Sequence, residues 1–598
     1  MLAARMSLTP SVILPQRPRA HWGVVLEPPN PVFTMPSQPE SPATTTLPPT
    51  PLGTATAEYL AEAAVVAQGG GASGIQRQHA NGRLTARERI AQLVDRGSEV
   101  FECGLFFARK MYAEYGGAPA AGVLTVIAKV DGRLSMIVAN DATVKAGAFF
   151  PMTCKKVIRA QVIAERARLP LLYLVDSAGV FLPLQEDIFP DTDDFGRIFR
   201  NNAVISAKGI PQIAAIMGNC VAGGGYLPVM CDTLLMTEGS GLYLAGPALV
   251  KAAIGQEVSS EELGGAQMHA QIAGTIDFRE KDDVACIARL RKVVEANRSS
   301  PAAAEPPFAA RAPKRSAAEI YEIFKSEPGQ QYDMLALLAC VADEGSLDEY
   351  RAEYGMSMVC AYARIGGFPC GIVANQKKLT QRKMPGGKAG PSTATNMPGV
   401  IYDDSADKAA RFIMDCNQKK LPILFVSDTT GFMVGRDSEQ GGIIRAGAKM
   451  VNAMSNCSVP KITLVVGGSY GAGNYAMCGR AFDPLLTLAW PGAKFAVMGA
   501  AQAAGTLLQI DLSAREKRGE KIDDATRKAL HAAVSASYNE QQDIRYAASR
   551  GWVDRIIEPH RTREELITAL RVAAQAPVES PAGALSTEAS FRTGVIQT

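Results

Sequence analysis

Histidine is scarce in this chain: five residues, His21, His79, His269, His531 and His560, among 598. A site built from several imidazoles has little to draw on. The eleven cysteines form no C-x-x-C pair and no Cys/His cluster at zinc spacing. Their odd total, with Cys220, Cys360 and Cys370 inside apolar runs, reads as reduced buried thiols and not as a disulfide scaffold. No metal is expected. Net charge is nearly absent as well, 62 basic against 59 acidic side chains. Proteins that grip nucleic acid through its phosphates show a clearer basic excess, so no nucleic-acid partner is expected. The sequence has neither a G-x-x-x-x-G-K-[ST] loop nor a G-x-S-x-G elbow, which argues against ATP hydrolysis and against a hydrolase-type serine. The 23 uncharged residues between Lys208 and Asp232 hold five glycines, two prolines and Asn219. They read as a strand and a Gly-rich turn, not as a membrane span.

Proline, by contrast, is crowded at one end. Twelve of the 36 prolines fall in the first 55 residues. Residues 1–60 are therefore expected to be a disordered or targeting segment that builds no core. Arg5, Arg17 and Arg19 precede any acid. This leaves two readings: a transit peptide, or an upstream start with Met35 as the initiator. The expected location is cytoplasmic, or the mitochondrial matrix if the segment is a transit peptide.

The rest is organised by an internal repeat. Leu169-Pro-Leu-Leu-Tyr-Leu-Val-Asp176-Ser-Ala-Gly179 returns as Leu421-Pro-Ile-Leu-Phe-Val-Ser-Asp428-Thr-Thr-Gly431, an offset of 252. Pro211 to Tyr226 answers Pro460 to Tyr475 at an offset of 249, and Ile137-Val-Ala-Asn140 answers Ile372-Val-Ala-Asn375 at 235. One domain has been duplicated. Apolar runs such as Leu171–Val175, Ile213–Met217, Ile423–Val426 and Ile462–Val466 have the length of buried parallel strands. They alternate with helical stretches, which predicts an α/β fold with halves at 61–315 and 316–598. The joint between the halves is expected within Asp277–Pro313.

Each half carries two glycine-bearing turns just after its strongest strands. A strand that turns into a helix leaves the first helical amides unpaired. Such donors suit a developing negative charge, and a missing side chain lets a planar ligand reach the backbone. The bland alternative, glycines that only permit strand–helix packing, loses ground because the pattern occurs in register in both halves. The candidate oxyanion donors are Gly179, Gly223, Gly224, Gly471, Ala472 and Gly473. Ser177 and Ser469 lie near the turns, and His269 is the one histidine weighed as a spatial partner for a serine nucleophile.

These motifs resemble the carboxyltransferase (β) subunits of biotin-dependent acyl-CoA carboxylases. The resemblance covers about Asn81 to Ala573. It is carried by Phe149-Phe-Pro-Met-Thr-Cys-Lys-Lys-Val-Ile-Arg-Ala-Gln, Ala245-Gly-Pro-Ala-Leu-Val-Lys, Gly431-Phe-Met-Val-Gly-Arg and Gly467-Gly-Ser-Tyr-Gly-Ala-Gly-Asn-Tyr. These look most like the methylcrotonoyl-CoA branch. The resemblance implies tandem crotonase-like domains and a carboxyl group moved from carboxybiotin, carried by a partner, to an acyl-CoA. It implies that Ala178, Val180 and Ala222 line the thioester side with Gly179, Gly223 and Gly224. Thr430, Gly431, Phe432 and Tyr475 would line the biotin side with Gly471, Ala472 and Gly473. It also implies a biotin carboxylase/biotin carrier partner and a homo-oligomer, a hexamer in the family, with sites between subunits. The chain lacks a Met-Lys-Met biotin acceptor; its nearest approach is Ala448-Lys449-Met450.

Two departures stand out. The family's first turn commonly reads Asp-Ser-Gly-Gly, whereas here it is Asp176-Ser177-Ala178-Gly179. The stretch Gln376–Pro398, with Lys377, Lys378, Arg382, Lys383 and Lys388, is longer and more basic than usual; it is read either as a ligand for CoA phosphates or as a solvated loop. The alternatives kept open are a propionyl-CoA or broad acyl-CoA carboxylase, a biotin-dependent decarboxylase subunit, and a non-catalytic assembly partner.

Overall fold

The computed structural model describes residues 47–297, 302–327, 329–384, 390, 392–518 and 523–577. The Pro-rich leader up to residue 46 and Lys388 of the basic stretch lie outside the described residues.

The apolar runs become strands. In the first half these are β1 (Phe101–Cys103), β2 (Val123–Val130), β3 (Arg133–Asn140), β4 (Leu171–Ser177), β5 (Gln212–Val221), β6 (Thr233–Thr237), β7 (Gly241–Tyr243) and β8 (Phe278–Glu280). They form one sheet in the order β1-β2-β3-β4-β5-β6-β8, with β7 beside the end of β5. The second half supplies β9 (Asp348–Glu349), β10 (Met358–Ile365), β11 (Phe368–Asn375), a hairpin β12 (Thr380–Met384) and β13 (Ser392–Asn396), and β14 (Val400–Ile401). It continues with β15 (Ile423–Thr429), β16 (Gly431–Phe432), β17 (Lys461–Tyr470), β18 (Leu486–Ala489), β19 (Lys494–Ala496) and β20 (Arg555–Ile556). Its main sheet runs β9-β10-β11-β15-β17-β18-β20, with β19 beside β17. The order is the same in both sheets, and in both the pairing changes from antiparallel to parallel at the third strand. All seven residues of β4 and of β15 are buried, as strands covered on both faces must be. The uncharged run after Lys208 is β5 and a short helical turn. Among the described residues no helix is long and apolar enough to cross a membrane.

Two boundary expectations fail. The leader was expected to stay unstructured to residue 60, yet Pro51–Val66 is a helix. Thr50 caps it and Pro51 opens it, a position where proline's missing N–H costs nothing. Leu52 is fully buried and its amide donates to Lys325 O at 3.0 Å. Tyr59 Oη donates to Ile556 O at 2.8 Å, so this helix lies on the second half. The expected joint, Asp277–Pro313, contains β8 and the helix Asp283–Ala296. That helix buries Cys286, Ile287, Leu290 and Val294 at helical spacing, a stripe its charged neighbours hid.

The halves are not stacked as separate globules. The largest apolar cluster runs from Leu52 to Ala573 and takes side chains from both sheets. Gly104 N–H donates to Asp554 O and Ala108 N–H to Ser549 O, which ties the β1 loop to the second sheet's edge. Arg159 reaches across to Asp554 with two bonds of 2.7 Å, and the pair is almost fully buried. Inside each half, equivalent lysines at an offset of 252 anchor a helix to a strand. Lys156 Nζ donates to Val123 O at 2.6 Å and Lys408 Nζ to Met358 O at 2.9 Å.

Replacing Asp554 by Ala strands Arg159 as a buried, unpaired charge. Urea unfolding at pH 7 is expected to show a loss of about 3–5 kcal/mol. Burial pushes the Asp554 carboxyl up, but the Arg159 charge and hydrogen bonds outweigh it and hold the group below its ordinary value. Its contribution is therefore complete above about pH 4 and is lost as pH falls toward the depressed folded value. The variant's stability should fall less steeply with acid than that of the parent.

Candidate active site

In the first half, β4 and β5 run parallel and then part. The β4 turn is extended at Ser177 and left-handed at Gly179, φ +87°. A Cβ on Gly224, in the β5 turn, would stand 3.6 Å from Gly179 Cα, so the two turns converge. Ser177 Oγ donates to Gly147 O at 2.7 Å and accepts the Gly179 N–H at 3.1 Å. Ala178 N–H is spent on Ala146 O at 3.0 Å, and the Ala178 side chain is exposed. Among the described residues the neighbouring Val180 N–H has no acceptor, so Val180 offers the open amide of this turn. Ala222 and Gly223 lie with Gly224 in the short helical turn Ala222–Gly225.

The second half repeats the construction. Gly431 has φ +118°, and a Cβ on Gly473 would stand 3.1 Å from Gly431 Cα and 2.7 Å from Thr429 Cγ2. Thr429 Oγ1 donates to Gly399 O at 3.0 Å and accepts the Gly431 N–H at 3.0 Å. Thr430 N–H is spent on Gly399 O at 2.9 Å. The helix Gly471–Ala476 begins without a side-chain cap on its first amides, with Ala472 exposed and Gly473 buried at its start. Tyr475 is half exposed beside this turn and packs on Phe482, with ring centroids 5.7 Å apart. Phe432 is different from expectation. Its ring lies against Gly447 and the second-half core, so it backs the turn and does not line it.

Beneath each pair of turns sits a buried aspartate that sequence reasoning passed over, although both stand inside the matched repeat strings. Asp428 accepts from Gly468 N–H at 2.8 Å, Lys377 Nζ at 2.9 Å and Tyr332 Oη at 2.9 Å. Its own amide donates to Asn375 Oδ1 at 3.1 Å. Asp176 accepts from Arg89 Nη1 at 3.2 Å, while Arg89 Nε also donates to Asp283 at 2.8 Å. Burial pushes the Asp176 carboxyl up, and Arg89 partly offsets this.

The basic stretch changes meaning in this light. Lys377 pairs with Asp428, Lys378 with Asp333 at 2.7 Å, and Arg382 with Asp403 at 2.5 Å. Lys377 and Arg382 are largely covered partners of acids, which neither the phosphate-binding nor the solvated-loop reading describes, whereas the Lys378–Asp333 pair is exposed, as a solvated loop would have it. The serine–histidine idea also fails, because His269 Nε2 bonds Leu242 O at 2.7 Å while Ser177 is engaged by Gly147 and Gly179.

A carboxyl transferase domain family matches residues 77–585. This chain belongs to that family. The chain is 41% identical over 524 residues to the biotin-dependent 3-methylcrotonyl-coenzyme A carboxylase β1 subunit of Mycobacterium tuberculosis, covering 88% of this chain and 94% of that one. It is 40% identical over 521 residues to the mitochondrial methylcrotonoyl-CoA carboxylase β chain of Arabidopsis thaliana, covering 86% and 85%. The crystal structure of the geranyl-CoA carboxylase β subunit of P. aeruginosa superposes with a TM-score of 0.76 at 32% identity, covering 88% of this chain and 94% of that one. The α/β duplication of crotonase-like domains and the carboxyltransferase class expected from the sequence both stand.

A carboxyl transferase of this design should be acutely sensitive to bulk between its turns. Gly473→Val would drive a branched side chain into Thr429 and Gly431. Turnover is expected to fall on the order of 10²–10³-fold, the scale of losing an oxyanion donor. Steady-state rates, with circular dichroism to verify an intact fold, check this.

Proposed function

We propose that this chain is the carboxyltransferase subunit of a biotin-dependent acyl-CoA carboxylase acting on 3-methylcrotonoyl-CoA. The observation that carries the reading is the convergence, in each half, of two glycine turns: a Cβ on Gly224 would stand 3.6 Å from Gly179 Cα and one on Gly473 3.1 Å from Gly431 Cα. Two oxyanions must be stabilised in such a transfer, the thioester enolate and the ureido oxygen of biotin, and two cradles answer that need. Carboxybiotin, held by a partner biotin carboxylase/carrier subunit, supplies the carboxyl group and then a ureido nitrogen as the base.

This chain's own part is electrostatic. Val180 and the Ala222–Gly224 turn would receive the thioester oxygen. Gly471, Ala472 and Gly473 would receive the biotin oxygen, and the bare glycine backbone beside Thr429 suits a flat ring. Next to the first cradle, a cleft of about 540 Å³ is walled by Gly69, Gly70, Gly116 and Gly117 and carries Arg77 and Lys145, cations suited to CoA phosphates. Leu182, Phe189 and Tyr226 stand exposed near the first cradle, and Val434, Tyr475 and Val497 near the second. Such apolar rims favour closure of the site between two copies, as in a hexamer. Cytoplasm or mitochondrial matrix is the proposed location.

A longer branched acyl chain is the second reading, favoured by the likeness to the geranyl-CoA carboxylase β subunit. Initial rates with a biotinylated partner, ATP and bicarbonate across acetyl-, propionyl-, 3-methylcrotonoyl- and geranoyl-CoA separate the two. The highest kcat/KM is expected with 3-methylcrotonoyl-CoA, and no ATP-driven carboxylation by the chain alone. Preference for propionyl-CoA, or activity without the partner, would refute the proposal.

A further inference from the structure

In both sheets the ladder between the two site-bearing strands slips at the same residue. The register of β4 on β5 shifts between Val175 and Ser177, and that of β15 on β17 between Ser427 and Thr429. The residue in the slip is Asp176 in one case and Asp428 in the other. Each carboxylate fills the opening. A Cβ on Gly218 would lie 2.0 Å from Asp176 Oδ1, and one on Gly467 would lie 2.4 Å from Asp428 Oδ1. On the second side the carboxylate takes the place of a strand acceptor, since Gly468 N–H donates to it at 2.8 Å. The ladder resumes only at Ser177↔Cys220 and Thr429↔Ser469, immediately before the turns. A bulge at this point sets the direction in which the following residues leave the sheet.

A buried carboxylate under an oxyanion cradle has the wrong sign for catalysis unless it is neutralised. The neutralising cations are side chains outside the matched repeat strings. Arg89, fully buried, bonds Asp176, Asp283 and Met217 O. Lys377 bonds both the Asp428 carboxylate and Asp428 O, the latter at 3.3 Å. Tyr332, whose hydroxyl burial and the Asp428 charge push well above its ordinary value, stays a neutral donor to the same carboxylate.

Resting on the carboxyltransferase reading above, we propose that Asp176 with Arg89 and Asp428 with Lys377 are positioning pairs. The aspartate fixes the bulge that aims the two turns, and the cation cancels its field beneath the amides.

The test uses the full chain with free biotin and the carboxylated ester of 3-methylcrotonoyl-CoA, following biotin-dependent decarboxylation. Lys377→Met keeps the stem and removes the charge. Its kcat is expected to fall on the order of 100-fold while KM for the CoA ester, bound by the other half, stays within about twofold. Adding Asp428→Asn removes the unbalanced carboxylate while its Oδ1 still accepts from Gly468 N–H and its Nδ2 can donate to Tyr332 Oη. The double variant should recover about tenfold or more of the lost rate, a non-additivity that general loosening of the fold would not produce. If Lys377→Met does not fold, the double variant alone decides: a rate within about tenfold of the parent supports the pair. Unchanged kcat in Lys377→Met, or a double variant no faster than the single one, overturns the proposal. An inactive parent chain would instead remove the carboxyltransferase reading, and this proposal with it.

Discussion

One carboxylate in each half, buried where two parallel strands part, governs the geometry of both cradles. A parallel ladder left to itself would carry β4 alongside β5, and β15 alongside β17, without interruption. Asp176 and Asp428 interrupt it, and the residues that follow leave the sheet toward the second turn. The glycines opposite, Gly218 and Gly467, are bare because a side chain would occupy the carboxylate's place. Burying an ion without a partner costs several kcal/mol, so the fold must deliver a cation to each site. The same cation matters for chemistry. Two like charges ~8 Å apart at an effective dielectric of ~20 repel by about 2 kcal/mol, on the order of 30-fold in rate.

The duplication shows which parts of this device are negotiable. Serine in one half and threonine in the other hold the loop carbonyls of Gly147 and Gly399 in the same way, and both close onto the amide of the following glycine. Strand order is repeated without change. The cations are not equivalent. Arg89 lies in the helix Ala86–Leu93, ahead of the first sheet, whereas Lys377 directly follows β11. In the first half Arg89 is shared between Asp176 and Asp283, and the second half adds Tyr332 as a neutral donor. What persists between halves is a cation on the buried carboxylate beneath the turns, not the identity of the residue that supplies it.

This distinction explains what could be read from the chain and what could not. Strands such as Leu171–Val175 and Ile462–Val466 were legible because burial on both faces demands unbroken apolar runs. The turns were legible because glycine recurs in register. Lys156, Lys408, Arg89 and Lys377 were not, since a charged side chain in an amphipathic helix or beside a loop normally marks the solvent face. Only their spatial partners, 194 residues away in the case of Asp283, reveal them as interior. Pro51–Val66 was hidden for the opposite reason. Proline density argues against a helix, except at the one position, just after the cap, where proline is compatible with it. The role first given to Phe432 failed because neighbours in sequence alternate in direction; its backbone is in the turn while its ring faces the core.

The departure at Ala178 can be weighed in the same terms. Its amide donates to Ala146 O, the bond that Thr430 makes to Gly399 O in the other half. A glycine there would spend its N–H in the same way, so the substitution leaves the set of open donors unchanged. What it adds is an exposed methyl group beside Gly179. On the proposed placement of the thioester, an added methyl would alter the shape and apolarity of the surface beneath it, worth about 1–3 kcal/mol in discrimination between acyl groups. It does not touch the electrostatics that the amides and the buried ion pair supply. Under the proposed function, residue 178 would bear on the choice of acyl chain, and the reaction class would be carried one layer deeper.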